Sequence, residues 1–535
     1  MHEVLLLCIG LIVSVSLLVL LAKKLRIAYP IFLVIAGLAV GFVPWVPNVR
    51  IDPNLVFLVI LPPVLFDAAQ KSSWRALWRW RRIILVMAIG FVLLTATAVA
   101  FVAHWLIPGF TLAQGFLLGA IISPPDAAAA TAILQFVKLP KGLVCILEGE
   151  SLLNDATSLT LYRFALAALA TQHFVWHEAC TGFILVVLSG IAIGLAFGGI
   201  FYVVYRWLPT NSNLDVALSL VLPYLIYTTA EDLHSSGVLA VVAGGLFIAY
   251  QNHFIFGHSS RLKANAVWAP IVFVLNAVLF FLIGMQVPEI SAAIESAPLM
   301  QSLGIALIIT LVVIVVRLAS GYFSAVFTRF ISRFITVAQS RPGWRNPTIV
   351  GWSGMRGVVS LASALAIPLM LNDAPFPHRP LIIFITLIVI MVTLVGQGLA
   401  LPWMVRKVKP EFLSEDKPDE IQILEIETAL QQSALKELEQ NYPHDLQQNN
   451  LLRNRLEMLR TKSMLYDGAS NDEAKREALG TVVNRYREVI VNLTEHQRKE
   501  LHRFRHRDHY DDDIIALIER RLDLEEERLE EEQDD

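Results

Sequence analysis

The sequence predicts an all-α polytopic membrane protein of about 13 transmembrane helices, with a helical cytoplasmic domain at its C-terminal end. Three observations predict it. The 535 residues are 55% hydrophobic and 17% charged, with a mean hydropathy of +0.58, a balance foreign to soluble domains. Apolar runs near bilayer length recur up to about residue 405. Charge is also divided. Residues 1–410 carry 25 basic and 14 acidic side chains, a net +11, whereas residues 411–535 carry 18 and 32, a net −14. The first region is built for lipid and the second for water.

A span needs about 20 apolar residues. The first run, 3–22, has Glu3 at its start and Lys23, Lys24 and Arg26 after it. It therefore reads as a transmembrane helix with its N-terminus outside, not as a cleaved signal peptide. Further runs lie at 28–43, 54–69, 83–105, 112–137, 142–170, 181–205, 213–230, 236–250, 264–287, 301–328, 346–370 and 380–405. Alternating their ends from an outside start places 20 basic residues in inside loops, five of them in "KSSWRALWRWRR". Only Arg50 and Arg379 fall outside. That bias fits the positive-inside rule and puts the C-terminus in the cytoplasm.

Beyond 411 no run can span. "DEIQILEIETALQQSALKELEQ" and "NNLLRNRLEMLRTKSMLY" repeat apolar residues at helical spacing. "HYDDDIIALIERRLDLEEERLEEEQDD" opens with aspartates suited to a helix N-terminus and ends in an acidic run expected to be solvated or disordered. His502, His506 and His509 share a helix face, which reads either as a pH-sensing or metal-binding set or as a solvated polar face. Cys8, Cys145 and Cys180 lack metal-type spacing and read as small packing residues.

A charge at the bilayer centre costs at least about 2.5–3.5 kcal/mol, so each one needs a reason. "ILEGESLLNDATSL", residues 146–159, holds three carboxylates. At helical spacing Glu148, Ser151 and Asp155 share one face, and Glu150 and Asn154 lie nearly opposite. A helix with two polar faces belongs inside the bundle. In "AIISPPDAAAATAIL", Pro124 and Pro125 remove two backbone donors and clash with the preceding turn, so the helix is predicted to break with Asp126 at the break. An acid at a broken helix marks an ion site in many secondary transporters; the plainer alternative is a kink with Asp126 as cap. In "GWSGMRGVVSLASALAIP", Gly351, Gly354 and Gly357 weaken the helix around Arg356, which needs a partner. Those glycines equally suit close helix packing. The broken span is the fifth and the glycine-rich span the twelfth, so they run in opposite directions, as in an inverted repeat with two discontinuous crossing helices. Asp67, in "LPPVLFDAA", lines a cytoplasmic funnel or is an interfacial acid near the Arg75–Arg82 cluster. Glu148 is left between a funnel role and none. Arg163 and Arg317 read as pairing or snorkelling residues.

"EGESLLNDATSL", "SPPDAAAATAI", "LPPVLFDAA" and "GMRGVVSLASALAIP" together resemble the cation:proton antiporter-1 family, the NhaP/NHE class of sodium/proton exchangers. The resemblance spans residues 1–410. It implies a homodimer with dimerisation and core subdomains, working by alternating access, with Na+ and H+ competing for one site. It implies Asp155 as the ion-binding carboxylate, Asn154 beside it, Ser151 one turn earlier and Asp126 from the crossing helix. It pairs Glu150 with Arg356 and sets Asp67 near the cytoplasmic funnel. The chain departs from the family where many members have Thr-Asp-Pro and this one has Pro125-Asp126-Ala127. A threonine ligand is missing, leaving Ser123, backbone carbonyls or water to replace it.

The expected function is a plasma-membrane antiporter, not an enzyme, exchanging Na+ for H+ without a cofactor or nucleic acid. Its partners would be the bilayer, a second copy and a regulatory ligand or protein at the 411–535 tail. Na+ is a hard cation that takes oxygen ligands. One titrating aspartate beside an asparagine carries one charge in either loaded state, which fits electroneutral exchange. The competing classes are a K+/H+ antiporter, an anion carrier, a channel and a non-transporting sensor acting through the tail. An anion carrier would want a cationic site, and the core arginine between glycines has Glu150 at hand to neutralise it.

Overall fold

The structure is a computed structural model that describes the chain except residues 1, 45–50, 135–136, 138, 172–175, 293–298, 334–342, 372–373, 412–418, 471–472, 505–517, 519–521, 525 and 527–535. It divides into two compact units, Met1–Phe412 and Leu413–Asp535.

The first unit is helical almost throughout. It opens with α1 (His2–Leu25) and α2 (Tyr29–Gly41). A π-helical turn, Leu55–Ile60, leads into α3 (Leu61–Lys71). Next come α4 (Trp74–Leu85) and α5 (Val92–Leu106), joined through a π turn at Val86–Phe91. Two short helices follow, α6 (Leu112–Ile122) and α7 (Ala127–Leu134), and then the long α8 (Lys141–Thr171). The chain continues through α9 (Trp176–Trp207), α10 (Ser212–Asp232), α11 (Gly237–Ile255), α12 (His258–Ala292) and α13 (Leu299–Ile331). A second pair of short helices, α14 (Arg345–Trp352) and α15 (Val358–Leu365), precedes a small antiparallel ribbon, Met370–Leu371 with Ala374–Pro375. The unit closes with α16 (Arg379–Met391), a π turn at Val392–Gln397 and α17 (Gly398–Val408).

Among the described residues seven helical runs are long and apolar enough to cross a bilayer, including Trp74–Leu106 and Arg379–Val408. Large apolar side chains stand exposed on α1 (Leu17, Leu20), α9 (Leu185, Leu188) and α13 (Leu311, Phe323). A water-soluble surface does not carry such belts, and a bilayer covers them. The chain is therefore a multi-pass membrane protein.

Close helix approach needs small residues, and the α2–α12 contact shows why. A Cβ on Gly284 would sit 2.1 Å from the Val34 carbonyl oxygen, and one on Gly37 would sit 2.1 Å from that of Phe281. Only glycine lets these backbones meet. Of the cysteines, Cys180 is exposed and Cys145 half-buried, so the packing role expected for Cys180 does not hold; the Cys8 side chain lies outside what is described.

The second unit contains α18 (Asp419–Asn441), α19 (Pro443–Gln448), α20 (Asn450–Ser470) and α21 (Glu473–Phe504). Leu424 on α18 and Leu456 and Leu459 on α20 are buried where those two helices pack. Arg460 reaches Glu439 at 2.7 Å and Glu457 at 3.3 Å. The acidic run past 511 lies mostly outside the described residues, but Asp523 and Glu526 are engaged by Arg498. His506 and His509, and the side chain of His502, also lie outside them.

Candidate functional site

The site begins with two interruptions of helix. Helix α6 stops at Ile122, ahead of Pro124 and Pro125, which have no N–H to continue it. Helix α14 stops at Trp352, and residues 353–357 are non-helical before α15 starts at Val358. The two breaks meet. The Asp126 N–H donates to the Met355 carbonyl at 2.6 Å.

Asp126 holds both second halves in place. Its Oδ1 accepts from the N–H groups of Ala128 at 2.9 Å and Ala129 at 3.4 Å, capping α7. The Val358 N–H, at the start of α15, also donates to this carboxylate. One acid thus caps two helix N-termini, each of which favours negative charge. The approach is possible because residue 357 is glycine. A Cβ there would lie 1.7 Å from Asp126 Oδ2. The two expectations for the glycines divide accordingly. Gly357 makes room at the break, whereas Gly351 packs closely on α13, its would-be Cβ 3.0 Å from Leu318 Cα.

The arginines correct one expectation. Glu150 does not pair with Arg356. Its carboxylate is held by the two terminal nitrogens of Arg317 on α13, Nη1 on Oε1 and Nη2 on Oε2, the latter at 2.6 Å. Both side chains are buried, at 3% and 1% exposure. Arg356, fully buried, instead donates its Nε to the Ile122 carbonyl at 2.9 Å and its Nη1 to that of Gly354. Its own N–H bonds Thr393 Oγ1 at 3.2 Å, within the π turn before α17. The physical reason lies in the breaks. A helix that ends inside the bundle leaves carbonyls without partners, and its C-terminus favours a cation. Arg356 satisfies the end of α6 and needs no carboxylate.

Helix α8 then divides as its spacing predicts. Glu150 turns to Arg317. Asn154 donates its Nδ2 to the Pro125 carbonyl, freed by the break, at 3.1 Å, and Ser158 bonds the Ala120 carbonyl at 2.8 Å. Both tie α8 to the broken span. The opposite face opens on a cavity of about 390 Å³. Glu148, Ser151 and Asp155 line it, together with Asp126, Asp67 and Ser360. Asp155 is 7% exposed. Four carboxylates therefore border one partly open cavity. It suits a hard monovalent cation, and an acid there can take a proton in the cation's place.

Asp67 stands on the cavity wall, bound 2.7 Å from Lys71 on its own helix rather than by the Arg75–Arg82 cluster. Ser123 Oγ is committed to the Ala120 carbonyl at 3.2 Å. Arg163 pairs with Glu231 at the periphery. Sequence reasoning missed Ser360, whose buried Oγ has no partner among the described residues, and Tyr29, which also lines the cavity. The signal for Ser360 was its place three residues after Gly357, on the same helix face. Nothing local marked Tyr29, which comes from a distant helix. Among the described residues no three His, Cys, Asp or Glu side chains are grouped to hold a metal ion.

Residues 10–407 match the family described as sodium/hydrogen exchanger, transmembrane. An uncharacterised Na+/H+ exchanger of Mycobacterium tuberculosis strain H37Rv is 32% identical over 532 residues, covering 97% of this chain and 95% of that one. A sodium, potassium, lithium and rubidium/H+ antiporter of Bacillus pumilus is 31% identical over 87% of this chain and 66% of its own length. Among solved structures, the sodium proton antiporter MjNhaP1 of Methanocaldococcus jannaschii superposes with a TM-score of 0.60 at 17% identity, covering 76% of this chain and all of that one.

Proposed function

We propose an electroneutral Na+/H+ antiport on one premise: the chain belongs to the sodium/hydrogen exchanger family. It is a membrane transporter that exchanges a monovalent cation for protons, and not an enzyme.

The observation that carries the finer reading is the single cavity where both helix breaks and the polar face of α8 come together. In this reading Asp155 is the exchanging carboxylate, holding either a proton or Na+. Ser151 and water complete the cation's shell, and Ser360 stands in for the missing threonine hydroxyl. Asp126 orders the two half-helices and adds negative potential. Asn154 keeps the break in register without adding a second charge, so the carrier moves one charge in either loaded state. Glu148 and Asp67 line the approach. Glu150 and Arg317 fasten α8 to α13. An empty, charged site that cannot cross then makes exchange obligatory, by alternating access.

Counting each broken pair as one crossing, α6 with α7 and α14 with α15, and each helix continued through a π turn as one, α4 with α5 and α16 with α17, brings the described helices of the first unit to thirteen. That count supports an inverted repeat, an N-terminus outside and a cytoplasmic tail. The site residues act in a homodimer of the plasma membrane, with residues 411–535 as a regulatory tail for a ligand or protein.

A second reading, exchange of K+ and other alkali cations as well, is favoured by the Bacillus pumilus relative named for four of them. Proteoliposomes bearing an imposed pH gradient, given each alkali cation in turn, decide between the two. Proton flux driven by Na+ well above K+ is the expected result. Equal flux with both gives the broader reading, and no dependence on the pH gradient removes antiport altogether.

A further inference from the structure

A second cavity, of about 410 Å³, lies outside the transport cavity and among α3, α10, α11 and α12. Its central acid is Asp215, in the first turn of α10 and 6% exposed. Asp215 Oδ2 accepts from Ser260 Oγ at 2.7 Å. Its Oδ1 is buried with no partner among the described residues. A buried acceptor without a partner is costly, and more so when charged, so a native protein retains one only where something else satisfies it.

The cations at this cavity do not satisfy it. Lys71 is bound to Asp67 at 2.7 Å, and Arg261 donates to the Phe256 carbonyl at 2.6 Å. Lys263, nearby, bonds Ser212 Oγ at 2.8 Å and Asn213 at 3.1 Å. His258 lines the wall without a bond to Asp215 Oδ1. Among apolar neighbours, Asn252, Asn265 and Ser219 add side-chain oxygens to the lining. Ser219 is oriented by the Trp268 indole N–H at 3.0 Å. A carboxylate with one oxygen uncommitted, neutral oxygen donors around it and room for several waters is the chemistry that takes a hard, partly hydrated monovalent cation.

We propose that Asp215 anchors a second alkali-cation site, separate from the cavity of Asp155. Asp67 and Lys71 wall both cavities. A cation at Asp215 is therefore felt by the ion pair that borders the transport cavity, and the second site senses the same cation that the first one carries.

The test is equilibrium binding of radiolabelled Na+ to the full-length protein at alkaline pH, where protons compete least. Asp155→Asn should still bind Na+ saturably, and Asp155→Asn/Asp215→Asn should lose that binding. Equal binding by the two variants overturns the proposal. Asn preserves the size of Asp215 and its acceptor for Ser260. A second measurement keeps Asp215 itself intact. A cysteine placed by Asn265→Cys, in a chain with Cys8, Cys145 and Cys180 replaced by serine and carrying Asp155→Asn, is labelled with maleimide. Na+ should slow that labelling, with choline as the control. A rate indifferent to Na+ also overturns the site. Loss of cation-dependent proton flux in Asp155→Asn reports separately on the transport reading.

Discussion

Gly357 is defined by its neighbour. The Asp126 carboxylate fills the space a methyl group would need, with Oδ2 1.7 Å from the built Cβ position. In Gly357→Ala either Asp126 or the start of α15 must shift. Overpacking costs about 1–3 kcal/mol and a lost cap about 1 kcal/mol. A lower melting temperature in detergent together with a sharp loss of exchange is expected, and unchanged exchange would show that Asp126 does not need this position. For Asp155→Asn the expectation differs: a normal melt, with cation-dependent proton flux abolished. Surviving flux would move the exchanging acid elsewhere. Glu150 and Arg317 are a buried pair, and removing either partner alone costs about 3–5 kcal/mol because it strands a charge. Glu150→Gln or Arg317→Met should therefore melt well below the parent, and Glu150→Leu/Arg317→Met should recover much of the loss. A double variant as weak as the singles would refute simple pairing. At this scale the α8 residues were legible, because helical spacing alone separates Ser151 and Asp155 from Glu150 and Asn154. The partner of Glu150 was not. Charge pairing in sequence has no geometry, and a broken helix offered Arg356 carbonyls that compete with any acid.

Elements show a similar division. The α6/α7 break was legible from Pro124 and Pro125, since proline cannot continue a helix. The α14/α15 break was legible only as a weakness, because glycine permits a break without requiring one. The π turns at Leu55–Ile60, Val86–Phe91 and Val392–Gln397 had no signature. A π turn adds one residue to a helical loop and leaves composition unchanged. One of them matters to the site, for it carries Thr393, the acceptor of the Arg356 N–H, and the Gln397 carbonyl that receives the Trp352 indole N–H at 3.2 Å. These bonds fix the second break against α16 and α17. Arg356→Lys tests how far the planar guanidinium is needed. Lysine keeps the charge but cannot serve both Ile122 and Gly354 in one plane. A loss of about 1.5–3 kcal/mol in stability is expected, the worth of a hydrogen bond to a charged group. A melt equal to the parent would mean that charge at the end of α6 is sufficient.

For the whole molecule, charge divides residues 1–410, net +11, from residues 411–535, net −14, and contacts divide the chain into Met1–Phe412 and Leu413–Asp535. The multi-pass helical character was legible because lipid leaves no other way to satisfy a backbone. How the tail acts was not legible, because solvated helices with scattered ion pairs carry little chemistry of their own. The family match, residues 10–407, falls entirely in the first unit, as does every residue of both cavities. A chain ending at Phe412 should therefore insert and exchange. Changes at sites that share no partners add within about 0.3–0.5 kcal/mol, roughly twofold on a rate, and that is the allowance set for this truncation. Maximal proton flux in proteoliposomes should stay within that range, while its dependence on pH or on an added ligand shifts. If the shortened chain inserts normally and transports nothing, the tail is part of the transport machinery and not its regulator.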